Sequence, residues 1–110
     1  MTIKLLKTEE KHMIAIFDLL QVISNFHPKQ KEIKNVWSEF INQKQVFSIV
    51  AVETNLDNLD EKLVGFGSLH LSKKIRGGLI GFIEDIAVIE EYRMRGIGNK
   101  IINELIKKGK

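Results

Sequence analysis

The sequence predicts an α+β domain in which a mixed, mostly antiparallel sheet is flanked by helices. Three observations predict it. Apolar residues recur at helical spacing in three stretches and form β-branched or alternating runs in four others, in the order β-α-α-β-β-β-α. The strands in the middle of the chain are joined by polar, turn-rich connections, which suit antiparallel neighbours. The last strand instead passes through a basic, glycine-bearing turn into an amphipathic helix. With 110 residues the chain is expected to form one domain, residues 1–110, around a single core.

Ile3 to Lys7 reads as a short strand. Thr8 suits a helix N-cap, and Glu9 and Glu10 follow in the first turn, where the helix dipole favours carboxylates. Met13, Ile16, Phe17, Leu20 and Ile23 then recur at helical spacing, so one amphipathic helix is expected over Glu9 to Ser24. Asn25 to Pro28 breaks it, and Pro28 fits the first turn of a second helix whose apolar face is Ile33, Val36, Trp37, Phe40 and Ile41. Trp37 is expected in the core or at a subunit contact, and His12 and His27 at the surface.

Val46 to Glu53 is β-branched and reads as a buried strand, and Asn55 to Glu61 is its polar hairpin connection. Leu63 to Leu71 forms the return strand, where Gly65 and Gly67 point to a close backbone approach or a bulge. His70 on that strand reads as a half-buried packing residue. Lys73 to Gly78 is a basic loop. An apolar strand bearing Glu84 and Asp85 follows, then a helix with Ile97, Ile101, Ile102, Leu105 and Ile106 on one face. Its lysine-rich end, Lys107 and Lys108, suits a helix C-terminus.

Composition narrows the chemistry. The chain has no cysteine, so it offers no disulfide framework, thiol nucleophile or cysteine metal site, and no metal is expected. The N-terminus lacks a long apolar signal region and nothing approaches a membrane span, so a soluble cytoplasmic protein is expected. The net charge of +3 is mild, and the basic residues do not interleave with stacking aromatics. Nucleic-acid binding is therefore disfavoured, and an anionic small molecule suits the surface better.

The chemistry concentrates between Gly81 and Lys100. An apolar strand with two adjacent carboxylates runs into Arg93, Met94, Arg95, Gly96, Ile97 and Gly98, which open the last helix. Backbone N–H groups at a helix start lack intrahelical acceptors and carry partial positive charge, so such a turn can cradle a pyrophosphate. Arg93 and Arg95 add full charges, and Gly96 and Gly98 let phosphate oxygens approach the backbone. The spacing is neither G-x-G-x-x-G nor G-x-x-x-x-G-K-[ST]. It is Arg93-x-x-Gly96-x-Gly98, which resembles the R/Q-x-x-G-x-G/A signature of the GNAT superfamily of acetyl-CoA-dependent N-acetyltransferases.

Within that superfamily, Gly81, Ile83, Glu84, Asp85, Ile86, Ala87 and Val88 resemble the G-x-I-E-D-I-A-V strand of the glucosamine-6-phosphate N-acetyltransferase family. Lys73, Lys74, Ile75 and Arg76 are similar to that family's K-x-I-R/H loop, with one residue fewer before Gly81. Leu20 to Ser24 resembles the end of the family's first helix, where Ser24 would keep a hydroxyl for the sugar phosphate. The resemblance spans nearly the whole chain and is weakest over the first forty residues.

The resemblance implies a GNAT fold, acetyl-CoA as co-substrate and an amino-sugar phosphate as acceptor, in a step toward nucleotide-sugar synthesis. The backbone of Ile86, Ala87 and Val88 would pair with the pantetheine, and Arg93 to Gly98 would hold the pyrophosphate. Lys73, Lys74 and Arg76 suit the sugar phosphate, with Ile75 in the same loop and Ile86 beside the acceptor. Glu84 and Asp85 suit its ammonium and hydroxyls. Either carboxylate could take the amine proton, and the Val88 amide would meet the oxyanion. Adjacent strand residues face opposite ways, so both carboxylates line one surface only if a bulge intervenes.

The chain ends at Lys110, directly after the cofactor helix, where the family continues with further strands and a helix that supply a tyrosine acid and complete a homodimer. A C-terminally incomplete GNAT domain is therefore expected, with an open strand edge that invites self-association and with poor turnover. A GNAT enzyme for another amine and a non-catalytic acetyl-CoA-binding fragment are the competing expectations.

Overall fold

The computed structural model describes residues 2–21, 30–55, 57–73, 77 and 79–108. Strand β1 (Thr2–Lys7) leads through a 3-10 turn (Glu10–His12) into α1 (Met13–Leu20), and α2 (Gln30–Ile41) follows. Then come β2 (Val46–Thr54), β3 (Glu61–Lys73) and β4 (Leu79–Val88), a second 3-10 turn (Glu90–Tyr92) and α3 (Ile97–Lys108). The strands form one sheet in the order β1-β2-β3-β4. The mostly antiparallel sheet expected is antiparallel in all three of its pairings. The expected helix break over residues 25–28 lies outside the described residues, as does Ser24.

Strand periodicity divides the core in two. Val50, Val52, Phe66 and Ala87 face α1 and α2, where they pack with Met13, Ile16, Leu19 and Trp37. Ile49, Ala51, Val64 and Leu69 face the other way and pack with Ile97, Ile101 and Leu105 of α3. Because side chains alternate along a strand, β2 supplies both clusters from consecutive residues, and its β-branched run satisfies two dry faces at once. Trp37 is in the core, as expected, while Ile41 at the end of α2 is exposed.

The two glycines of β3 serve close packing. A Cβ on Gly67 would lie 2.4 Å from Ile86 Cδ1 and 2.6 Å from Ile101 Cγ2. One on Gly65 would lie 3.0 Å from Ile101 Cδ1. Helix α3 thus rests against bare backbone, which fixes its height above the sheet. The preceding connection closes through Leu59 N–H to Asn55 O at 2.7 Å and Asp57 N–H to Asn55 Oδ1 at 2.8 Å, an Asx turn.

The first helix differs from expectation. Thr8 is no N-cap: its N–H donates to Ser48 O at 3.3 Å, continuing the β1–β2 pairing, and its side chain is buried. Glu9 takes the extended N-cap conformation instead. Its N–H donates to His12 Nδ1 at 3.0 Å, so the segment from Glu10 starts as a 3-10 turn before α1. His12, expected at the surface, is 6% exposed, and its Nε2 is buried without a hydrogen-bond partner among the described residues.

Burial, with the Lys11 charge beside it, lowers the His12 pKa below its ordinary value of 6.5. The unfolded chain therefore takes up a proton at His12 at a higher pH than the folded chain does. Stability is then present at neutral pH and declines as pH falls below about 6.5. Glutamine at this position can reach back to the Glu9 N–H in the same way without titrating. Urea unfolding at pH 7.5 and 5.5 is expected to show a smaller acid loss for His12→Gln than for the parent chain. An equal loss in both would remove His12 as its source.

Among the described residues no helix is long and apolar enough to cross a membrane, and no group of His, Cys, Asp or Glu is placed to hold a metal ion.

Candidate functional site

Strand β4 is bulged at the two carboxylates. Phe66 pairs with Ala87 and Ser68 with Glu84, so two steps on β3 match three on β4. Asp85 absorbs the extra residue at φ 55°, a left-handed conformation that aspartate tolerates better than most side chains. The bulge changes the alternation. Glu84 and Ala87 share the α1/α2 face of the sheet, whereas Ile86 and Val88 pack toward α3. Glu84 and Asp85 are both exposed. The expected distortion therefore stands where the two carboxylates meet.

At its other end β4 feeds the glycine turn. Ile89 N–H donates to Val64 O at 2.9 Å. Antiparallel alternation then turns the Val88 backbone away from β3 and toward the outer edge of the sheet. Arg93 Nε donates to Val88 O at 3.2 Å, which ties the guanidinium to the strand end. Met94 and Gly96 follow at φ 70° and 76°. Both are left-handed, a conformation that glycine accepts freely and methionine does not.

Gly96 is the N-cap of α3, its carbonyl accepting from Lys100 N–H at 3.1 Å. Ile97, Gly98 and Asn99 then form the first helical turn, whose N–H groups have no intrahelical acceptor. Val88, Arg93, Met94, Gly96, Gly98 and Asn99 line a concavity of about 280 Å³ at this helix end. Among the described residues, chain neighbours and the helix's own backbone apart, nothing lies within 4 Å of where a Gly96 Cβ would sit, and a Gly98 Cβ would meet Val88 Cγ2 at 3.9 Å. The space over these N–H groups is open, and a diphosphate fits its charge and donors.

Beneath the turn, buried Tyr92 carries the Arg95 guanidinium over its ring at 4.8 Å from the centroid and Lys62 Nζ at 5.4 Å. A hydrogen bond to the Glu53 carboxylate, together with burial, raises the Tyr92 hydroxyl pKa above its ordinary value. The sequence gives Tyr92 no role, because its neighbours Glu53 and Lys62 come from distant strands. Its signal is an aromatic residue directly before the basic turn.

His70 is half-buried as expected and packs edge-on against Phe40, and it also makes polar contacts. Its Nε2 lies 3.1 Å from Ser68 Oγ and 3.6 Å from Glu84 Oε2, and Ser68 Oγ donates to Glu84 O at 3.0 Å. Sequence alone misses this cluster, since the bulge sets which β4 residue faces Ser68.

The structure thus brings Glu84, Asp85, Ile86, Ala87 and Val88 onto one strand that leads directly to Arg93, Met94, Arg95, Gly96, Ile97 and Gly98. Lys73 ends β3 opposite Leu79. The remaining predicted acceptor residues, Ser24, Lys74, Ile75 and Arg76, lie outside the described residues.

Comparison with known proteins bears on the same region. A solved Trypanosoma brucei acetyltransferase is 24% identical with a TM-score of 0.79, covering 97% of this chain and 74% of that one. Glucosamine-6-phosphate N-acetyltransferase from Arabidopsis thaliana is 23% identical with a TM-score of 0.78, over 97% and 74%. An aminoglycoside N-acetyltransferase solved in complex with CoA is 17% identical with a TM-score of 0.77, over 98% and 69%. These likenesses show a common fold. No curated protein matches the sequence. The acetyltransferase (GNAT) family model matches residues 14–110, from α1 through the glycine turn and α3. The chain belongs to the GNAT acetyltransferase family.

Proposed function

We propose that the chain is an acetyl-CoA-dependent N-acetyltransferase whose acceptor is the amine of D-glucosamine 6-phosphate. The observation that carries the cofactor part is the open N-terminus of α3, with Arg93 tied to the end of β4 beside it. Gly96, Gly98 and their neighbours would hold the diphosphate through backbone N–H groups, and Arg93 and Arg95 would neutralise its charge. Acetyl-CoA, when bound, supplies an acetyl thioester for direct transfer to an amine.

The acceptor enters as an ammonium and must lose a proton before it can attack. Glu84 and Asp85, exposed at the bulge, would hold the ammonium, and one carboxylate would take that proton. The Val88 N–H, turned to the outer edge of the sheet, would donate to the oxyanion that develops at the carbonyl. Lys73, Lys74, Ile75, Arg76 and Ser24 would form the phosphate side of the acceptor pocket. The sugar-phosphate assignment draws support from the K-x-I-R loop and from the likeness to the Arabidopsis structure. Exposed Ile80, Phe82 and Ile83 on edge strand β4 favour a homodimer in the same reading.

A free-thiol assay with acetyl-CoA and glucosamine 6-phosphate tests this, with unphosphorylated glucosamine as the control. Thiol release is expected to depend on the phosphate. Equal rates with both sugars would sink the sugar-phosphate assignment. No thermal stabilisation by CoA would sink the cofactor site.

A further inference from the structure

Tyr92 is the chain's single tyrosine, and its ring is fixed from several directions. Its N–H donates to Ile89 O at 2.9 Å, which closes the 3-10 turn after β4. The residue is 7% exposed and packs with Ile97 and Ile101 in the α3-side core. Its hydroxyl donates to the Glu53 carboxylate. Glu53 reaches it because side chains alternate along β2, which puts residue 53 on the same face as Ile49 and Ala51.

Two cations among the described residues stand over this ring. The Arg95 guanidinium lies 4.8 Å from the centroid and Lys62 Nζ 5.4 Å. Both are inside the range of about 6 Å over which an aromatic face attracts a cation. Strand register places Lys62, the cross-strand partner of Glu53, and Glu91 Oε2 holds it at 3.7 Å. The glycine turn itself places Arg95, directly before the Gly96 cap of α3. The two arginines of the turn are thus anchored by different means, Arg93 by a hydrogen bond to Val88 O and Arg95 by an aromatic face.

The second anchor suits anion capture. An arginine side chain is long, and ordering it at the moment of binding weakens affinity. A ring holds the guanidinium through its charge rather than through its N–H groups, which are the groups that a phosphate recognises. Tyr92 also borders the concavity at the start of α3. The cation seated on it therefore stands beside the first-turn N–H groups of Ile97, Gly98 and Asn99.

We propose that Tyr92 is a positioning residue for the phosphates of the cofactor, its pinned ring seating Arg95 beside the N-terminus of α3. This rests on the reading of that turn as the CoA cradle. Tyr92 acts through Arg95, so the aromatic face carries the effect and the hydroxyl serves to orient it.

A double-mutant cycle on CoA affinity, read by calorimetric titration, tests this. Arg95→Gln is expected to weaken CoA binding about 10-fold, the worth of a charge-assisted contact. Tyr92→Leu removes the aromatic face and is expected to weaken it about two-fold to five-fold, the range of an exposed cation–π contact. Tyr92→Phe keeps the face and is expected to bind with the parent's affinity. In the Arg95→Gln background, Tyr92→Leu is expected to have no further effect. A purely packing role would weaken binding equally in both backgrounds, and that outcome would overturn the proposal.

A second readout leaves Tyr92 in place. Because the chain has one tyrosine, ring-labelled tyrosine gives a single assigned set of NMR signals. Those signals are expected to shift in Arg95→Gln, and signals that stay unmoved would also overturn the proposal. A parent chain that binds no CoA would instead overturn the cradle reading. A parent that binds CoA as tightly as its Arg95→Gln variant does would overturn only the role of Tyr92 and Arg95.

Discussion

Gly98→Asp is expected to leave the fold intact or slightly more stable while weakening CoA binding by about two orders of magnitude. The two effects have opposite signs because one position serves two purposes. Gly98 is the second residue of α3, after the Gly96 cap. Among the described residues outside its own helix turn, its Cβ would meet Val88 Cγ2 at an ordinary 3.9 Å, so there is room for a side chain. Aspartate also has a better helix propensity than glycine, and a carboxylate in the first turn gains about 0.3–1 kcal/mol from the dipole.

The same carboxylate would occupy the anion's place. Like charges about 4 Å apart near a protein surface repel by roughly 4 kcal/mol, and 1.4 kcal/mol is already a tenfold change in affinity. Thermal melts and calorimetric CoA titration together check the prediction. Undiminished CoA affinity in the variant would place the diphosphate somewhere else.

Gly67→Val is expected to lower stability sharply although it removes no contact. The first atom it adds already lies 2.4 Å and 2.6 Å from side-chain carbons of Ile86 and Ile101. Ile101 is fully buried, and its Cγ2 branches from the Cβ, so it cannot swing aside without moving α3. Overpacking of this kind costs about 1–3 kcal/mol, with valine at the upper end. In a domain of this size each kcal/mol lowers Tm by roughly 4–8 °C. Calorimetry should therefore show a drop on the order of 10–20 °C. Helix α3 would also lift from the sheet and carry the glycine turn with it. An unchanged Tm would mean that α3 does not rest on β3 as described.

Much of this architecture is legible in the residues themselves. The β-branched run Val46 to Glu53 announces a buried strand, and its middle, Ile49 to Val52, is buried on both faces while Phe47 near its start is exposed. Gly65 and Gly67 signal a close approach, and α3 makes it. The adjacency of Glu84 and Asp85 raises the question of a bulge, which the positive φ of Asp85 answers.

Other features depend on partners remote in sequence. Thr8 has the chemistry of a helix cap, yet pairing with Ser48 claims its backbone for the sheet. His12 stands four residues before Ile16, on the same stripe, and follows it into the core. A polar residue type conceals that periodicity. His70 is the harder case. Its contact with Glu84 requires both the β3–β4 pairing and the extra residue in it, and neither is written in the local pattern.

The division of the core by the sheet carries a consequence for how such a protein changes over generations. Val50, Val52 and Phe66 answer to α1 and α2, while Ile49, Ala51 and Val64 answer to α3. A substitution on one side is felt first by neighbours on that side, with Ile89 packed against both clusters. Repacking among α1 and α2 is therefore expected to reach the glycine-turn helix chiefly through the sheet and Ile89.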